Sequence, residues 1–182
     1  DFLEESLGVY KNSISENHFR IGWILIHLGN IYAAMGEHKK AYGFIEEGVT
    51  IYKKYYPENH PDLAWATSYL GNIYTAVGEY KKAQDLLQQT LMILKRTFSE
   101  NHGALLRTNA YLANAYMKSG SYQEARNILE QVVKYYEQMN DPDLIEFAMA
   151  TQILAEIHFL ENHSDAAENL MNKALGIFTQ HK

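Results

Sequence analysis

LGNIYAAMGEHKKA, residues 28–41, returns as LGNIYTAVGEYKKA at residues 70–83, with eleven of fourteen positions unchanged across a 42-residue step. A fixed period of this size is the mark of a repeat architecture. LANAYMKSGSYQEA at residues 112–125 and LAEIHFLENHSDAA at residues 154–167 carry the register to the end of the chain. The anchors stay in phase: Leu28, Leu70, Leu112 and Leu154; Tyr32, Tyr74 and Tyr116, with His158 in the fourth copy; then Gly36, Gly78, Gly120 and Asn162. A second phased string, Glu-Asn-His, falls at residues 16–18, 58–60 and 100–102. FLEESLGVYKNSISENH at the start aligns without gaps to FIEEGVTIYKKYYPENH, so the chain opens halfway through a unit. It begins without an initiator methionine, which reads as a segment of something longer.

Each unit reads as two helices. Ile21, Leu25, Leu28 and Tyr32 recur at steps of three and four, the spacing of one helical face. Gly36 supplies a left-handed stop, and Asn162 is the next best residue for that slot. A second periodic run extends from about Lys39 to Tyr56 and ends at Pro-Glu-Asn-His-Pro. There, Pro61 suits a first helical turn, and Asn59 or His60 can cap it. Small residues at Gly29, Gly71, Ala113 and Ala155, and at Ala41, Ala83, Ala125 and Ala167, let the two helices of a unit approach closely. Large residues such as Leu28 and Tyr32 fill the space beside that contact. One unit cannot bury its apolar face alone, so neighbours must stack.

A Leu-Gly pair, a Tyr three residues after the Gly, a turn Gly and a small Ala in the second helix resemble the tetratricopeptide repeat, whose usual unit is 34 residues. The longer 42-residue unit is similar to the repeats of kinesin light chains, and the Leu-Gly-Asn strings at residues 28–30 and 70–72 are similar to those of spindle-orientation adaptors. The resemblance covers essentially the whole chain. It implies an all-α, right-handed superhelical solenoid of antiparallel helix pairs, with the first helices lining a concave peptide-binding groove. We expect nine helices in one array, 1–182: a second helix at 2–15, then repeats at 19–60, 61–102, 103–144 and 145–182.

On the first helix, the side opposite Leu28 and Tyr32 carries Trp23, Ile26, Asn30, Ala33 and Ala34. Its phased counterparts include Trp65, Ser68 and Asn72, then Arg107, Asn114 and Lys118, and in the last copy Gln152, Glu156, Phe159 and Leu160. The resemblance implies that this face lines the groove. Asn30, Asn72 and Asn114 place one amide per unit there, and an amide can pair with the backbone of a bound segment whatever its side chains. Bonding to a neighbouring helix is the competing role. Trp23 and Trp65 are either binding anchors or packing residues. Arg107 and Lys118 are the basic element of the face and could meet a carboxylate.

The totals exclude several classes. A net charge of −6 gives no basic face for a phosphate backbone, so no nucleic-acid partner is expected. With no cysteine there is no disulfide framework and no thiolate metal site, which fits a cytoplasmic setting. No apolar run approaches a membrane span. His18, His60 and His102 recur with the repeat, so at least a helix diameter of ~10 Å separates them and they cannot share an ion. His158 and His163 are five apart rather than four, and we expect no metal, no cofactor and no enzyme. The expected role is an adaptor that binds a peptide or protein partner. Its rivals are a structural spacer, a scaffold whose apolar ends stack end to end, and a sensor domain of a larger protein.

Overall fold

The computed structural model describes residue 8, residues 19–138 and residues 144–179, and every regular element among them is an α-helix. We number them α1 (Phe19–Ala34), α2 (His38–Tyr55), α3 (Pro61–Ala76), α4 (Tyr80–Leu94), α5 (Gly103–Lys118), α6 (Tyr122–Gln138), α7 (Leu144–Leu160) and α8 (Ser164–Thr179). Eight described helices stand where nine are expected, because the opening one at 2–15 lies outside the described residues. None of the described helices is long and apolar enough to cross a membrane.

The chain divides into two units, residues 1–97 and 98–182. In the first, α1 packs on α2, α2 on α3 and α3 on α4, while α1 also meets α3. The second repeats this scheme with α5 to α8, and α5 meets α7. Connections of three residues between paired helices force them antiparallel. Each unit has its own apolar core, built in the first around Leu25, Leu28, Ile45 and Ile73, and in the second around Leu106, Leu129, Val132 and Ile157.

The helix ends follow from identifiable residues. Gly36, Gly78 and Gly120 take φ values of 78°, 86° and 88°, and Asn162 takes 63°, where other L-residues are strained. The turn is closed each time by a six-to-one backbone bond, as from the Glu37 N–H to the Tyr32 carbonyl at 2.9 Å. At the starts of α3 and α5, the Nδ1 of His60 accepts from the Asp62 N–H at 3.1 Å, and that of His102 from the Ala104 N–H at 3.2 Å. Of the two caps open to the sequence before α3, the structure uses His60, with Pro61 in the first turn.

The pairing contact is tight. A methyl group added at Gly29 would lie 2.5 Å from Ile45 Cγ1 and 2.9 Å from the Ala41 carbonyl oxygen. At Gly71 it would lie 2.5 Å from Leu87 Cγ. A second close approach lies further along the same pair, where a Cβ at Gly48 would stand 2.8 Å from the Gly22 carbonyl oxygen and 2.8 Å from Ile26 Cγ1. Tyr32 is buried beside the contact and stacks on Phe44, with centroids 5.4 Å apart and planes 12° from parallel.

In the second unit a polar link joins α5 to α7. Arg107 Nη1 donates to Glu146 Oε1 at 2.6 Å, and the Tyr136 hydroxyl donates to Glu146 Oε2 at 3.1 Å. Both charged side chains are largely shielded from water.

Urea denaturation tests this packing at three positions. Gly29→Ala places a methyl against backbone that cannot yield, and overpacking of this kind costs about 1–3 kcal/mol. Gly43→Ala, in the interior of α2 with nothing within 4 Å, should instead stabilise by about 0.5–1 kcal/mol through helix propensity. Glu146→Ala removes the carboxylate that the shielded Arg107 guanidinium faces and should cost about 2 kcal/mol, less than the loss of a fully buried pair. Glu146→Gln, which keeps an acceptor, should cost less than Glu146→Ala.

Candidate functional site

In the first unit the free side of α1 is a stripe of aromatic, amide and aliphatic groups. Trp23 is 51% exposed and lies against His27, with ring centroids 4.1 Å apart. His27 continues the array towards α3, 5.7 Å from Trp65 and 6.3 Å from Tyr69. Trp65 meets Tyr69 edge-on at 5.1 Å and also reaches Tyr52 of α2 at 6.1 Å. The two tryptophans therefore differ. Trp65 is half-buried and packs on the core, whereas Trp23 offers open surface. Burial, with the charges of Tyr56 and Asp62 acting in the same direction, pushes the Tyr52 hydroxyl up to about 12, so Tyr52 carries no charge at neutral pH.

Asn30 of α1 and Asn72 of α3 occupy the same repeat position, Asn30 and Asn72 both half-buried. Asn114 has the same half-buried setting on α5 of the second unit. Among the described residues none of these three side-chain amides makes a hydrogen bond. An amide with two donors and an acceptor in a half-shielded setting is suited to meet an incoming main chain.

Ile26 and Ser68, assigned to the same face from the sequence, lie elsewhere. Ile26 is 0% exposed, and Ser68, 1% exposed, donates its hydroxyl to the Trp65 carbonyl oxygen at 2.7 Å. The equivalent Ala110 is buried too. The cause is visible in α2, where Gly48 leaves room for Ile26 to enter the helix pair. The buried side of α1 is thereby widened, and the open stripe rotates to Trp23, His27, Asn30, Ile31 and Ala34. The signal for His27 and Ile31 is present in the sequence as Gly22 and Gly48, a second small pair beside that of Gly29 and Ala41.

In the second unit the two basic residues already face carboxylates of this chain. Arg107 is taken by Glu146, and Lys118 stands 3.9 Å from Glu156 at an exposed edge. Beside Lys118 and Glu156 opens a groove of about 640 Å³ between α5, α7 and α8. Phe159, Leu160 and Met171 form its apolar wall, and Glu168 adds a second carboxylate. Phe159 is 69% exposed and Leu160 52%, large values for such side chains. Glu168 and Met171, from the second helix of the pair, are lining residues that a reading of first-helix faces does not reach.

Comparison with known proteins agrees with this architecture. The Tetratricopeptide repeat family matches residues 20–96 and 104–180, one match in each unit. No curated protein matches the sequence. Among solved structures, a single-residue variant of the nearly identical TPR-like repeats of a candidate kinesin light chain from Podosopora anserina is 26% identical, with a TM-score of 0.66 over 99% of this chain and 86% of that one. BtubC (BKLC) from P. vanneervenii is 16% identical, with a TM-score of 0.71 over 98% of this chain and 71% of that one. A Rap protein solved in complex with competence and sporulation factor shares the fold at 16% identity and a TM-score of 0.69, over 87% of this chain and 43% of that one. The helix pairs, the left-handed turn after each first helix and the family match over both units lead to one conclusion: the chain belongs to the tetratricopeptide repeat family, with repeats of the kinesin-light-chain kind.

Proposed function

We propose that this chain is a protein-interaction module that holds peptide segments of its partner against the open sides of the first helices in each unit. The observation that carries the reading is the set of half-buried amides at Asn30, Asn72 and Asn114, which have no hydrogen bond among the described residues. These amides hold the bound main chain. Trp23 covers side chains in the first unit, and the groove walled by Phe159, Leu160 and Met171 takes an apolar side chain in the second. Lys118, at the groove's edge and only loosely paired, meets a polar neighbour of that side chain. Ile26, Ser68, Trp65 and Arg107 serve this site as scaffold, through core packing and the Glu146 link. A cytoplasmic, non-catalytic role completes the reading.

The energetics of a helical scaffold support a peptide ligand. Such a scaffold is largely preformed, so most of the ordering cost of binding falls on the segment. The Rap neighbour illustrates the fold with a bound factor. The test is a peptide-library pull-down on the whole chain beside the Asn30→Ala, Asn72→Ala, Asn114→Ala variant, with circular dichroism to show that the variant keeps its helices. The wild type should enrich a motif, and the variant should bind that peptide at least tenfold more weakly, the equivalent of about 1.4 kcal/mol. Equal binding by the folded variant overturns the amide assignment.

A second reading is favoured by the exposed apolar surface of Phe159, Leu160, Met171 and Leu175 at the end of the second unit. Surfaces of this kind mark association sites. On this reading the chain stacks end to end as a scaffold, and its mass in sedimentation rises with concentration and returns to that of a monomer in Phe159→Ser, Leu175→Ser.

A further inference from the structure

The turn after α7 brings together side chains that helical spacing alone would separate. Residues five apart on a straight helix point about 140° away from one another. Here α7 stops at Leu160, Asn162 turns the chain with a φ of 63°, and the His163 N–H donates to the His158 carbonyl at 2.8 Å. The two imidazole rings thereby stand 5.8 Å apart between centroids. Glu161 Oε2 lies 3.8 Å from His163 Nδ1. One ligand atom each from His158, Glu161 and His163 lies within 4.8 Å of the other two.

The other repeats act as an internal control. The positions of His158, Glu161 and His163 are held by Tyr32, Met35 and Glu37, by Tyr74, Val77 and Glu79, and by Tyr116, Ser119 and Ser121. Those three copies make the same turn with the same backbone bond, at 2.9, 2.8 and 2.9 Å. The fold therefore demands neither imidazole, and no carboxylate at the position of Glu161. Three departures from the repeat converge on one point. In addition, His158 Nδ1 is buried with no hydrogen-bond partner, so the fold does not lock this ring through that atom.

We propose that His158, Glu161 and His163 form a binding site for a divalent transition-metal ion of the Zn²⁺ class. Two imidazoles and one carboxylate suit Zn²⁺ and its neighbours, whereas Mg²⁺ and Ca²⁺ take oxygen ligands. Ligand atoms around a tetrahedral Zn²⁺ lie about 3.4 Å apart, which follows from bond lengths of about 2.0–2.2 Å. The present separations reach that value by small side-chain rotations, which the exposed His163 makes without disturbing packing. Three protein ligands leave a coordination position open to water or to a group from a partner. Arg126 of α6 sets the strength of the site, because its Nη1 donates to Glu161 Oε2 at 2.8 Å and its charge opposes a cation there. The site is thus a modest, reversible one.

Calorimetric titration of the whole chain with Zn²⁺ at neutral pH tests this, with the visible absorption of bound Co²⁺ reporting coordination by nitrogen. His163→Ala, at an exposed turn position, should remove one equivalent of bound ion or weaken its binding at least tenfold. His158→Gln should do the same while circular dichroism stays that of the wild type. Arg126→Gln should strengthen binding several-fold, and Mg²⁺ should give no heat. The proposal is overturned if Zn²⁺ produces no binding up to millimolar concentration, if either histidine variant binds as the wild type does, or if Arg126→Gln weakens the site.

Discussion

The structure depends on two backbones coming closer than side chains normally permit. Gly29 faces the Ala41 carbonyl and the Ile45 side chain, and Gly71 faces Leu87, at distances that leave no room for a methyl group. Helices held this near exclude water from the seam between them, and their large neighbours then close around it. Leu28 and Tyr32 are buried for that reason, and the next helix pair has an apolar surface on which to stack. In the second unit the same slot holds Ala113 and Ala155, both buried, so the contact tolerates one methyl where its surroundings are arranged for it. The seam is a local matter between consecutive helices: the first unit's apolar core draws on α1, α2 and α3, and the second's on α5, α6 and α7 with Leu170 of α8 against it.

The seam also decides what remains for binding. A first helix that commits one side to its partner and a second to the neighbouring pair retains a narrow open stripe. In the first unit Gly22 and Gly48 draw Ile26 inward, and the stripe turns towards His27 and Ile31. Trp23 keeps half of its surface in the open, while Trp65 is absorbed by packing against Tyr52 and Tyr69. Identical residues in identical repeat phase thus end in different settings. The half-buried amides are the constant feature, and this constancy is what the proposed recognition of main chain rests on.

A repeat protein makes departures legible. Where the first three copies place Tyr at the head of the turn and an apolar or small residue after it, the fourth places His and Glu, and closes with a second His. The backbone bond of the turn is the same in all four, so the fold is held fixed and only the chemistry changes. The same logic applies to the second unit's groove, where Phe159 and Leu160 stand exposed at positions held by Ala33 and Ala34 in the first copy, Thr75 and Ala76 in the second, and a buried Met117 with Lys118 in the third. The fourth repeat is therefore the one that departs furthest from the other three at these positions.

Period, helix boundaries and turn chemistry were legible in the sequence by itself, because each depends on contacts between residues near one another in the chain. The 42-residue register, the left-handed stops at Gly36, Gly78, Gly120 and Asn162, and the small residues of the helix seam are all of this kind. The amides at Asn30, Asn72 and Asn114 were also found that way, since phase alone aligns them. Only the tertiary structure decided which side of each first helix stays open, as that depends on how far a neighbouring helix approaches. It buried Ile26 and Ser68, paired Arg107 with Glu146 across thirty-nine residues, and added Met171 to a groove begun by α7. It also joined His158 to His163, because a left-handed turn carries the chain back across a gap that helical spacing keeps open.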